Sequence, residues 1–139
     1  MRKILFLFAL VILLSGCRAE PTFSEVSEKS VNKNVKAFVH EVRNRNGVHL
    51  YFNGEKEVYV YLNGSNAKQG GKGMKFTDFD VKGKGETLNI LYNKATVEEG
   101  DQSINNPVLY RIKLDKKYEN VKPFGNGKEV TFGVVSGNQ

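Results

Sequence analysis

Cysteine is nearly absent from this chain of 139 residues: Cys17 is the only one, and tryptophan does not occur. A single thiol excludes any internal disulfide, so stability has to come from burial of a core. Histidine is almost as scarce, with His40 and His49 alone, which narrows the routes to a serine triad or a histidine-rich metal site. Long apolar runs are missing as well. The unbroken run at residues 4–14 would span about 16 Å as a helix, about half the thickness of a hydrocarbon core.

What stands at the start of the chain gives that short run a purpose. Met1-Arg2-Lys3 precedes it and small residues follow it, the layout of a secretory signal rather than of a membrane anchor. The stretch Leu14-Ser15-Gly16-Cys17 resembles the lipobox of bacterial lipoproteins at all four positions. That resemblance implies an S-diacylglyceryl cysteine at Cys17, palmitate-like acyl chains, and removal of residues 1–16. Two acyl chains anchor a protein stably where one holds it only marginally. The expected location is the cell membrane, lipid-anchored and facing outside the cytoplasm. Loss of Arg2 and Lys3 with no acid takes the net charge from +6 to +4. The lysines are spread through every turn, as on a solubilising surface.

Residues 17–34 form a lipidated cysteine followed by a polar, charged stretch with isolated Phe23, Val26 and Val31. Such a stretch buries too little to order itself and predicts a flexible tether. From 35 to 139 the sequence predicts one globular domain. Short alternating runs and Gly/Asn punctuation indicate strands at 35–42, 48–52, 57–63, 76–82, 87–93 and 108–114, a short one through Val121, and a last one at 129–135. In the second and third runs Val48, Leu50 and Phe52 must share a face with Val58, Val60 and Leu62. Phe52 then opposes Val58, and an odd-numbered loop joins them rather than a two-residue Asn-Gly turn. The same reasoning sets Val42 across from Leu50. The fold class is all-β, a compact antiparallel sandwich of seven or eight strands, with a small barrel as the alternative.

Catalytic signatures are sought and not found. No lysine after glycine completes a phosphate-binding loop. The thiol is committed to lipid. On this register His40 falls on the aliphatic side, closing a core edge, while His49 points the other way, so the two neither cooperate nor share a metal. Asp78 and Asp80 flank Phe79 on one strand, and residues 98–101 lack the ligand spacing of a calcium loop. No catalytic residue, metal or cofactor is assigned. The candidate binding face is aromatic: His49, Tyr51, Tyr59 and Tyr61 line the outer side of one hairpin, with Asn53 and Asn63 at its rim. Tyrosine suits envelope proteins, peptides or glycans as partners; nucleic acid is not expected at this location.

The chain as a whole, with its lipobox, charged tether and single β domain, resembles the small lipoproteins of endospore-forming, Bacillus-like Gram-positive bacteria. Residues 87–124, TLNILYN…NPVLYRIKLDKKYENVKPF, resemble the C-terminal domain of a protease-complex accessory-subunit family, which implies a non-catalytic module that binds or steadies a partner. The alternative is a membrane-tethered peptidyl-prolyl isomerase-like foldase. The motifs of parvulins and cyclophilins are not visible, and the tryptophan of an FKBP-like pocket floor is missing. The expected function is therefore that of a membrane-anchored binding or accessory module.

Overall fold

A computed structural model describes residues 19–65, 73–97 and 107–138. The expected leader 1–16, the expected lipobox residues Leu14, Ser15 and Gly16, Cys17 and the acidic stretch 98–101 lie outside the described residues. The elements are β1 (Thr22–Val26), α1 (Lys33–Val42), β2 (Gly47–Asn53), β3 (Glu57–Asn63), β4 (Gly73–Lys84), β5 (Thr87–Val97), β6 (Val108–Lys113), β7 (Asn120–Gly125), β8 (Lys128–Glu129) and β9 (Val135–Asn138). They build an all-β, sandwich-like fold from a five-stranded sheet ordered β1-β6-β3-β2-β9 and a four-stranded sheet ordered β4-β5-β7-β8. Among the described residues the two sheets do not close into the alternative barrel.

The central hairpin follows its side-chain parity. Phe52 pairs with Val58 and Leu50 with Val60, and residues 54–56 make a three-residue turn in which Gly54 takes φ 73°. Val48, Leu50, Val58, Val60 and Leu62 point inward to meet Val81, Leu88, Ile90 and Tyr92 of the second sheet.

Several expectations are corrected. Residues 35–42 are helix, not strand, because Val35, Phe38, Val39 and Val42 recur at the spacing of one helical face. Asn32 caps this helix, accepting the Val35 N–H at 3.0 Å. Val42 thus has no place opposite Leu50, and His40 sits exposed on the solvent side of α1. The described part of the expected flexible tether, residues 19–34, carries regular structure instead. Thr22–Val26 pairs with β6, because alternation turns Phe23 onto Phe79 and Tyr110 while Val26 packs beneath the helix. The folded unit therefore begins well before residue 35. The sandwich is also mixed rather than antiparallel: β2 runs parallel to β9, and β5 runs parallel to β7. After β5 the chain visits the other sheet as β6 and returns as β7 in the direction of β5. The expected terminal strand 129–135 divides between β8 and β9, one in each sheet.

The helix makes the domain three-layered. Its apolar face covers the outer side of the five-stranded sheet, forming a second core with Tyr51, Tyr59, Tyr61 and Leu109. Ten residues are too few to hold a helix alone, and burial of each of its large apolar side chains contributes about 1.5–3 kcal/mol. Two asparagines clamp its ends. Asn32 Nδ2 donates to Asn53 Oδ1 at 3.3 Å; beyond the other end, Asn63 Nδ2 donates to the carbonyls of Arg43 at 2.8 Å and Arg45 at 3.0 Å.

Candidate functional site

The structure brings the four predicted face residues together, but beneath α1. His49 and Tyr61 are 1 % exposed, Tyr59 4 % and Tyr51 7 %, so this face is core and not a binding surface. Phe38 lies 5.2 Å from the Tyr51 ring. Burial, with Glu28's charge adding to it, pushes the Tyr61 phenol up to about 12. His49 is fixed at both nitrogens: Nε2 donates to the Arg45 carbonyl at 3.0 Å, and Nδ1 accepts the Val134 N–H at 3.0 Å. Burial lowers its pKa, so the neutral ring is the native form. Among the described residues, no three of His, Cys, Asp and Glu gather as a metal site.

Aromatic surface does remain open at the side of the sandwich where β1 faces β4. Phe79 and Tyr110 stack there with centroids 3.9 Å apart and planes at 1°. Phe23 of β1 meets them edge-on, at 5.1 Å from Phe79 and 5.9 Å from Tyr110. Three rings from β1, β6 and β4 thus join the two sheets at their edges. Beside them opens a cleft of about 380 Å³ whose walls include Leu62, Met74, Phe76, Phe79 and Tyr110, with the carboxylate of Glu25 at its margin. That volume falls within the range of pockets for small ligands or side chains.

A bulge in β4 shapes this wall. The register shifts between Thr77 and Asp80, so Asp78 and Phe79 together oppose Tyr92. In an unbroken strand Phe76 and Phe79, three apart, would point to opposite faces. The extra residue resets the phase, and Phe76, Phe79 and Val81 all turn inward. Asp78 bears the strain at φ 56°. Its Oδ2 accepts from Asn93 Nδ2 at 2.9 Å and from Thr77 Oγ1 at 3.3 Å, which holds the turn. At the cleft's inner end Gly64 lies against β4 so closely that a Cβ there would overlap the Met74 carbonyl oxygen.

Among the described residues, the ionisable groups lining the cleft are Glu25 and Tyr110. Burial, then the Glu25 charge, raises the Tyr110 phenol above its ordinary value, so it stays protonated at neutral pH. An anion, a protonated phenol and stacked rings can hold a ligand and orient it. Sequence reasoning missed Phe23, Glu25, Phe76, Phe79 and Tyr110 as a group. Two signals were present: the three-residue spacing of Phe76 and Phe79, which no regular strand accommodates, and the alternation in Thr22–Val26. No family model, curated protein or solved structure matches this chain.

Proposed function

We propose that this protein is an extracytoplasmic lipoprotein, held at the cell membrane through acylated Cys17, and that it works as a non-catalytic binding or accessory module. The observation that carries the reading is the open aromatic cleft at the β1–β4 edge, where a peptide or glycan of an envelope partner would be received. Among the described residues its lining offers rings, a phenol and a carboxylate, the composition of a recognition surface. Support for the anchor comes from Leu14-Ser15-Gly16-Cys17 behind a short apolar run. Thr22 opens β1 five residues after Cys17, a reach of about 17 Å at full extension, so the domain would stand close above the bilayer.

Mass spectrometry of the native protein tests the anchor, with a diacylglyceryl group on Cys17 and residues 1–16 removed as the expected result. An unmodified thiol behind an intact leader overturns it. A photo-crosslinking residue at position 23 tests the cleft in intact cells. It should give a discrete adduct that the same residue at Lys36, on the exposed side of α1, does not. Identical patterns from both positions refute the cleft as the site. The foldase alternative would use the same aromatic wall for a prolyl ring, and catalysed isomerisation of a proline peptide by the full chain would replace the binding reading.

A further inference from the structure

The cleft has a chemical asymmetry that selects a ligand. On β1, Phe23 and Glu25 turn toward the cleft side, while Val26 turns to the helix. β1 is the terminal strand of its sheet, so one of its backbone edges is unpaired among the described residues, a template for strand addition. Phe23 is 39 % exposed, one of two large apolar side chains left so open among the described residues. Glu25 is exposed and pairs across the ladder with Tyr110, an acid in a chain of net positive charge.

We propose that the β1 edge receives an extended peptide as an added strand, with an apolar side chain beside Phe23 and a basic side chain, two residues along, facing Glu25. This rests on the cleft being the binding site of the proposed function. The two-residue spacing follows from alternation, since side chains two apart on an added strand share the face of Phe23 and Glu25. Strand addition supplies sequence-independent hydrogen bonds, and the two side chains supply selection. A second copy of β1 is a poor occupant, because Thr-Phe-Ser-Glu-Val brings no base to match Glu25.

The probe is a blocked heptapeptide of threonines with leucine at its third place and lysine at its fifth. A second peptide carries glutamate in place of the lysine. Each is titrated against the full chain, produced with its leader and held in nonionic detergent, with backbone amides of β1 followed by NMR. The lysine peptide should bind saturably, shift the amides of residues 22–26, and bind more tightly than the glutamate peptide. Glu25→Gln should weaken it about two- to fivefold, as an exposed cross-strand charge pair would. Glu25→Lys should reverse the preference between the peptides. Glu25 is exposed, so these variants keep the fold, and Phe23→Ala should weaken both peptides alike.

Equal binding of the two peptides, or a preference that Glu25→Lys leaves unchanged, overturns the proposal. So does sedimentation showing a β1-mediated dimer that excludes the peptide. A photo-adduct at position 23 without peptide binding sinks this inference alone; loss of both sinks the cleft reading with it.

Discussion

Replacing His49 by leucine removes one hydrogen bond that nothing else restores. The Arg45 carbonyl loses the Nε2 donor but keeps Asn63 Nδ2 at 3.0 Å. The Val134 N–H loses Nδ1, its acceptor at 3.0 Å. An orphaned, half-buried donor costs up to about 1–3 kcal/mol, which for a domain of this size lowers Tm by up to about 4–12 °C. The loss should be local in its dynamics. Gly133 and Leu50 exchange backbone hydrogen bonds with Val48 and Val134 on either side of the imidazole, so amide exchange should quicken first along residues 133–138 and in the facing part of β2.

Acid should reproduce part of this effect in the native chain. Burial, with Arg45's charge assisting, holds the folded pKa of His49 below 6.5, and a protonated Nδ1 can no longer accept from Val134. The unfolded chain therefore binds more protons. The stability due to neutral His49 is complete above about pH 6.5 and is lost as pH falls through the depressed folded value. Guanidinium unfolding in a His40→Gln background leaves one histidine to titrate. The native-minus-His49→Leu difference should be largest near neutrality and shrink on acidification, the carboxylates being common to both proteins. A difference that is constant with pH, or that grows in acid, refutes the assignment of His49 as a neutral tie for the C-terminal strand.

Tyr61→Ala, which empties the space beneath α1, should cost about 3–5 kcal/mol in chemical denaturation, while leaving photo-crosslinking at position 23 intact in whatever fraction stays folded. Asn32→Ala should cost about 1 kcal/mol through loss of the cap, read as faster amide exchange in the first turn of α1 with the β-sheet signal unchanged. Gly64→Ala forces β3 and β4 apart at Met74; a cost of about 1–3 kcal/mol is expected, with NMR shifts centred on Met74 and Phe76 rather than on the helix.

The central hairpin is legible in the sequence down to its register, because two aliphatic sets that must share a core admit one turn parity. Helix α1 is not, because residues 35–42 satisfy both periods: Val35, Ala37 and Val39 alternate, while Val35, Phe38, Val39 and Val42 form a helical stripe. Phe38 and Val42 decide between them, since alternation sets both on the opposite face from Val35 and Val39, whereas a helix gathers all four on one side. Asn32 and the absence of glycine or proline from 32–42 point the same way. Strand β1 is hidden for a different reason. Its alternation is short and carries a single ring, whose partners among the described residues lie in β4 and β6, so its pairing is set by tertiary contacts.

The choice between strand and helix at 35–42 also decides where a site can lie. Taken as a strand, residues 35–42 leave the tyrosine face of the central hairpin bare, and three phenols on a bare face look like a binding surface. As a helix they cover it, and the phenols become the second core. Once both faces of the central strands are buried, what that sheet leaves uncovered among the described residues is its two edges. One edge, β9, runs parallel to β2 and places a glycine, Gly137, opposite Phe52. The other, β1, offers Phe23 and Glu25 beside a cleft whose opposite wall is set by a strained bulge. Strain of this kind costs about 1–3 kcal/mol and persists only where the surroundings hold it. Here it turns Phe79 onto Tyr110 instead of into water, so the β1–β4 edge sets a strained bulge beside half-buried aromatic rings.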